Sequence, residues 1–257
     1  MIYLLYIFYI TLVYSFNKPL VFLDKSSSIN SFQNKKLITI SPGGIGGFYM
    51  LGINSFIKKY YHTDNLHFLG ASAGAWNTLI YAYKHNDIDY LVNTILDYNY
   101  SSTNINDIEY EIKHVIMNNF DANDFNFKNI YIGASIFTTK GFRPTTICGI
   151  NDLEQALDCC IASSHIPFIT GGILHKLNKQ YLFDGGFPGF PPKYIDPYYE
   201  ITWDMWDYKI DKHLIVPKNS TIINNLYIDG YIDTAKNKKY LDKLFIPKKI
   251  KYYFTTY

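Results

Sequence analysis

The sequence predicts an α/β fold, a single domain with a mostly parallel central sheet and helices on both of its faces. Three observations carry that prediction. Short β-branched apolar runs alternate with longer stretches of helical periodicity, and glycine-rich turns join the first two of these alternations. The chain also holds 48% hydrophobic residues over 257 positions, which is ample for one sizeable core.

The opening stretch, residues 1–16 (MIYLLYIFYITLVYSF), carries no charge and is apolar almost throughout, yet it is shorter than the roughly 20 residues a spanning helix needs. It reads as a secretory signal segment, with Val13 and Ser15 at the small-residue positions before a cleavage, although the usual positive residue near the start is missing. An uncleaved membrane-associated anchor and a buried first strand are the alternatives. The expected location is therefore secreted, secretory-pathway or membrane-associated. Two Asn-x-Ser/Thr triplets, at Asn99 and Asn219, agree with export but also arise by chance in an Asn-rich chain. Residues 17–35 are polar with a serine cluster and read as a linker.

The domain is expected over residues 36–245. Lys36 to Ser41 is a β-branched run that ends in Pro42-Gly43-Gly44-Ile45-Gly46-Gly47, after which Phe48, Leu51, Ile53, Phe56 and Ile57 recur at helical spacing. Leu66 to Gly70 is a second apolar run, followed by the Ala-rich and aromatic stretch Ala73 to Tyr83. Residues 86–119 carry helical spacings with a break at Ser101 to Asn104. Residues 129–138 read as a buried strand, 151–162 as a helix capped by Asn151, and Lys179 to Phe183 as a strand ending at Asp184. Residues 246–257 form a basic aromatic tail that includes Lys248, Lys249, Lys251 and Tyr252.

Charge and cysteines exclude some functions. With 24 basic and 22 acidic residues spread along the chain, a formal charge of +2 gives no concentrated field for nucleic acid. Cys148, Cys159 and Cys160 form neither a disulfide framework nor a zinc-ligand spacing, and an odd count leaves at least one thiol free. No metal site and no cofactor are expected.

Chemistry concentrates at three places. Gly70-Ala71-Ser72-Ala73-Gly74 matches G-x-S-x-G, the elbow in which a strained strand-to-helix turn lifts a serine hydroxyl above the sheet. Glycines flank such a serine because side chains there would crowd the sharp turn. A serine at a helix start also serves as a simple N-cap, so the pattern alone leaves both roles open. The glycine loop at 43–47 stands before a helix, where exposed N–H groups hold a negative charge. A dinucleotide fingerprint fails because Tyr49 stands where G-x-G-x-x-G needs glycine, and no Gly-Lys-Ser/Thr makes a P-loop. A reaction oxyanion is the remaining ligand. Asp184-Gly185-Gly186 ends an apolar strand, and its glycines let backbone or substrate approach the carboxylate. Among seven histidines, His67 reads as a satisfied core residue and His62, His85 and His114 as surface residues. His175 and His213 have no distinguishing context, and His165, before Ile166-Pro167, is the one histidine left open as a base.

Taken together, Pro42 to Gly47 with Gly52, Gly70 to Gly74, and Asp184-Gly185-Gly186 resemble the patatin-like phospholipase family. Cys160 to Phe168 is similar to the segment before the family's Asp strand, above all in its adiponutrin-type branch, and Leu226 to Asp233 to its Gly-Tyr-x-Asp helix. The resemblance implies a Ser-Asp dyad in which Ser72 attacks an ester carbonyl and Asp184 takes its proton. It further implies an oxyanion hole from Gly43, Gly44 and the N–H of Ala73, with Gly70 and Gly74 shaping the elbow. Glycerolipid or phospholipid acyl esters are the implied substrates, met in transient contact with a membrane or lipid-droplet surface. A lipid acyltransferase and a catalytically silent lipid-binding protein of the same fold are the alternatives. Two positions depart from the family pattern: Pro42 replaces the loop's first glycine and removes an N–H, and Gly46 stands where Arg or Lys is common.

Overall fold

The computed structural model describes residues 20–98, 100, 104–209 and 220–249. The signal-like segment 1–16, Asn99, His213, Asn219 and the tail from residue 250 lie outside the described residues. The described part is an α/β structure built on one sheet of eight strands. These are β1 (Val21–Leu23), β2 (Leu37–Ile40), β3 (His67–Ala71), β4 (Ile130–Thr138), β5 (Gly141–Cys148), β6 (His175–Leu177), β7 (Gln180–Phe183) and β8 (Tyr199–Ile201). The order along the sheet is β1-β5-β4-β3-β2-β8, with β7 also pairing β4 and β6 pairing β7.

The centre of the sheet is parallel and its margin is not. Strands β8, β2, β3 and β4 run parallel, whereas β5 returns antiparallel on β4, β1 on β5, β7 on β4 and β6 on β7. The reason lies in the connections. Strands β2, β3 and β4 are separated by helices, as parallel pairing requires, while β4 and β5 are joined by the tight turn at Thr138 to Gly141.

The helices are α1 (Lys25–Phe32), α2 (Gly47–Tyr60), α3 (Ala73–Ala82), α4 (Ile88–Leu96), α5 (Ile105–Asn119), α6 (Leu153–Ser163), α7 (Ser220–Lys236) and α8 (Lys238–Leu241). Side chains alternate across the strands and separate two layers of unequal size. Ile38, Ile40, Phe68, Ile130 and Ile132 face the main core with residues of α2, α3, α4 and α6. Leu37, Leu69 and Tyr131 face a small second cluster closed by Ile195 and by Phe32 of α1. Helical cover is therefore heavy on one face and on the other comes from α1 alone among the described helices named in either cluster.

The segment expected as a linker at 17–35 is corrected from residue 21 onward. It holds β1 and α1, because the Asp24 carboxylate caps the helix by accepting the Ser27 N–H at 2.8 Å. Ser28 is fully buried and donates to Thr146 Oγ1 at 3.4 Å, and Phe32 packs edge-on against Tyr131. A second correction concerns the cap of α6: Asp152, not Asn151, accepts the Gln155 N–H at 2.7 Å, while the Gln155 side chain accepts the Asn151 N–H at 2.9 Å. The expected break in 86–119 falls between α4 and α5, where Asn104 caps α5 by accepting the Asn106 N–H at 3.0 Å.

Two glycines bring α2 and α7 close together. A Cβ on Gly52 would run into the Tyr227 carbonyl, and one on Gly230 into the Tyr49 carbonyl. The backbones approach so closely that only glycine fits. Tyr49 secures the same crossing by donating to Asp233 Oδ2 at 3.1 Å.

Candidate active site

Ser72 lies between β3 and α3 with φ 53° and ψ −126°, in the left-handed half of the map that a residue with a Cβ avoids. Its side chain makes no capping bond to α3, which removes the simple N-cap role. The surrounding backbone holds the strain. A Cβ on Gly70 would collide with the Gly74 carbonyl, and one on Gly74 with the Ile40 carbonyl, so the elbow packs backbone against backbone at both flanks.

The C-terminal end of α6 ties the elbow to the Asp strand. The Ser163 hydroxyl accepts the Ser72 N–H at 2.8 Å and donates to the Gly133 carbonyl at 2.6 Å. Ser163 and His165 then present their carbonyls to the N–H groups of Gly185 and Asp184, at 2.9 and 2.8 Å. A Cβ on Gly185 would meet the Gly133 carbonyl, so this glycine too is sterically required. Ser163 is a site residue that the sequence reading did not single out. Its only signal was membership of the Cys160 to Phe168 segment.

Asp184 completes the pair. Burial pushes its carboxyl above the ordinary value, while the nearby Ser72 side chain, the hydrogen bond from the Gly186 N–H and the nearby His165 act in the opposite sense. The Gly186 bond to Asp184 Oδ1 measures 2.7 Å. The carboxylate thus stands beside the serine hydroxyl at the mouth of one cavity and is a stronger base than an exposed aspartate.

Gly43, Gly44 and Ala73 line the same cavity as Ser72 and Asp184. Gly44 takes a positive φ of 51° and opens the 3-10 turn Gly44–Gly46, which leads directly into α2. Gly47 lies so close to Ala73 that a Cβ there would come within 2.8 Å of the alanine methyl, so the loop and the elbow are in contact. Ala73 is the first residue of α3, and the first N–H groups of a helix have no partner within it. Pro42 packs toward Gly186, whose added Cβ would meet the proline ring at 2.8 Å. The proline removes one donor from the loop and leaves those of Gly43 and Gly44.

From this mouth a cavity of about 290 Å³ runs between the helices. Its walls are apolar, with Leu51, Leu91, Ile95, Ile108, Ile112 and Ile116 among them. A carboxyl stands among them. Glu109 of α5 lines the cavity and is 7% exposed, and burial raises its carboxyl to about 8 against the lowering effect of the nearby polar groups of Ser164 and Trp76. Sequence reading missed it because a glutamate in a mixed helix looks like a surface residue.

The histidines divide differently from the expectation at one point. His67 is half-buried and its Nδ1 has no partner, so it is not the satisfied core residue expected. His85 sits on the surface 2.7 Å from Asp124, and His114 is exposed beside Asn118. His165 is buried, and its Nε2 has no partner. Burial lowers its proton affinity despite the neighbouring Asp184. All three cysteines are free thiols, with Cys159 and Cys160 buried in the core. Among the described residues no group of three or more metal-binding side chains gathers, and no helix is long and apolar enough to cross a membrane. No protein-family model and no curated protein matches the chain.

Proposed function

We propose that this chain is a serine-dependent acyl-ester hydrolase of the patatin-like type, acting on glycerolipid or phospholipid esters through Ser72 and Asp184. One observation carries the reading: a serine held at an unfavourable backbone angle shares one mouth with a half-buried carboxyl, and the two open onto an apolar cavity.

In this reading the acyl chain lies in the cavity and its carbonyl carbon faces Ser72. The Ser72 Oγ forms a bond to that carbon as Asp184 takes the hydroxyl proton, and the carbonyl oxygen becomes an oxyanion. The N–H groups of Gly43, Gly44 and Ala73 stabilise it, each donor of this kind being worth about 3 kcal/mol. Collapse breaks the bond to the alcohol, which leaves with the proton from Asp184. Water then attacks the acyl-serine, again giving its proton to Asp184, and the second collapse returns that proton to Ser72 as the carboxylic acid departs. Strain at Ser72 supports the assignment, because unfavourable backbone angles persist where the surroundings enforce them and cluster at functional sites. A lipid carrier would need the cavity but not the strained serine.

The test compares wild type with Ser72→Ala on a short acyl ester. Alanine fits the elbow, so the variant folds and loses hydrolysis; equal rates would overturn the assignment. We also infer export from the signal-like segment 1–16, with the mature chain beginning at Phe16. Amino-terminal sequencing of protein made in a eukaryotic host checks this, and an intact Met1 rejects it.

A further inference from the structure

Glu109 is an unusual occupant of an apolar wall. Its neighbours Ile105, Ile108 and Ile112 on α5 line the same cavity, and a leucine would suit the position by packing alone. Instead a carboxyl is present, 7% exposed, whose Oε2 is buried and has no hydrogen-bond partner. A buried polar atom left unpaired is costly, so a site that keeps one gains when a ligand supplies the partner.

The position of Glu109 limits that ligand. The carboxyl meets the side chains of Ser164 and Trp76. Trp76 sits one helical turn beyond Ser72 and itself donates to Ser164 Oγ at 3.2 Å, and Ser164 follows the Ser163 that holds the Ser72 N–H. Glu109 therefore stands near the reacting end of the cavity, on the side of the isoleucine wall where the acyl chain runs. The nearby Asp184 and burial both disfavour a charge on it, so at neutral pH it is a carboxylic acid with one O–H donor and free acceptor capacity. Such a group pairs with a hydroxyl, which also donates and accepts.

We propose that the Glu109 carboxyl is a specificity-determining contact for an acyl chain bearing a hydroxyl close to its ester carbon, making hydroxyacyl esters the favoured substrates. This rests on the acyl-hydrolase reading for its catalytic test and on the cavity alone for its binding test. A hydroxyl has a partner at this point of the wall, whereas a plain chain offers the carboxyl none.

Short acyl esters are compared with matched esters that carry a hydroxyl at successive chain carbons, using wild type, Glu109→Gln and Glu109→Leu. Wild type is expected to favour one hydroxyl position by roughly 10- to 100-fold in kcat/KM. Glu109→Gln keeps shape and hydrogen bonding and retains most of that ratio, and Glu109→Leu abolishes it. In parallel, hydroxylated and plain fatty acids are titrated against Ser72→Ala protein, with the fluorescence of the adjacent Trp76 as the readout. The hydroxy acid binds more tightly there, and Ser72→Ala/Glu109→Leu loses the difference. If wild type cleaves no ester, the hydrolase reading fails while the binding preference still sustains the Glu109 contact. Wild type and Ser72→Ala protein that treat the two series alike overturn the contact, whatever the fate of the variants.

Discussion

The elbow around Ser72 and the helical wall of α4 and α5 bound one cavity, yet they are built on opposite terms. At the elbow, Gly70, Gly74 and Gly185 each stand where a single added carbon would strike a backbone carbonyl. Ser72 keeps its unfavourable angles because Ser163 holds its N–H. In the wall, Leu91, Ile95, Ile108 and Ile112 are linked only by apolar contact, where side chains of similar volume exchange at modest cost. The geometry of the elbow is thus fixed by backbone contacts that leave no room for a side chain. On the proposed reading, selectivity would rest on side chains that packing does not dictate, Glu109 first among them.

The sharpest way to break that contrast is at the base. Asp184→Asn keeps the shape, cannot take the proton, and should lower kcat by about three orders of magnitude or more, close to the loss from Ser72→Ala, as for groups that act as a unit. In wild type, kcat/KM should rise with pH as Asp184 loses its proton. Because burial raises this carboxyl, the midpoint should lie above that of an exposed aspartate. A pH-rate profile on a soluble ester decides it, and activity that falls across this range removes Asp184 as the base.

Stability separates the two regions next. Gly74→Ala drives a methyl into the Ile40 carbonyl and should cost about 3 kcal/mol, since neither strand nor helix can yield without the other. Ile112→Val in the wall should cost only about 1 kcal/mol. Urea denaturation of both variants measures the difference, and equal losses would mean that the elbow is no more constrained than the wall.

The same division explains what was legible in the sequence. Glycines at 70, 74 and 185 announce close backbone approach, and β-branched runs announce the central strands, because both signals act locally. The N-terminal 20–35 stretch was opaque for the opposite reason. A serine-rich segment reads as a linker, and only the partners Thr146 and Tyr131, more than a hundred residues away from Ser28 in the first case, turn it into β1 and α1. Tertiary packing overrode composition there. The antiparallel margin escaped notice because β5 contains Pro144 and Gly141, which read as breakers although the turn and strand accommodate both. Glu109 and Ser163 were hidden because their meaning depends on which helix faces pack together. No local pattern distinguishes a glutamate facing solvent from one facing a cavity.

Glu109 sharpens the comparison through pH. Its folded value near 8 exceeds the ordinary glutamate value of 4.5, so the native state binds the extra proton between those limits and stability falls as pH rises through them. The penalty is absent below about pH 4.5 and complete above about pH 8. Glu109→Gln does not titrate. Its stability relative to wild type should therefore grow by about 2 kcal/mol between roughly pH 6 and 7.5, at 1.4 kcal/mol per unit. Thermal melts at the two pH values check this, and a constant difference would show that Glu109 is charged in the native protein.

The smallest expected effect belongs to His165, and it discriminates between a dyad and a triad. The ring lies near Asp184, so proximity alone would nominate it as the general base. Its surroundings say otherwise: its Nε2 has no partner, and its nearest ring neighbours are His175 and Phe183 at 5.5 and 5.9 Å. Burial keeps the ring neutral, so it supplies little charge to Asp184. Its backbone carbonyl, which accepts the Asp184 N–H at 2.8 Å, survives any side-chain change. His165→Ala should therefore lower kcat by less than about tenfold, whereas loss of a general base costs about 10² to 10⁴. The rates of His165→Ala and Asp184→Asn on one ester, both checked for folding by circular dichroism, settle the order. Matching losses would place the histidine in the proton path and make the elbow a triad.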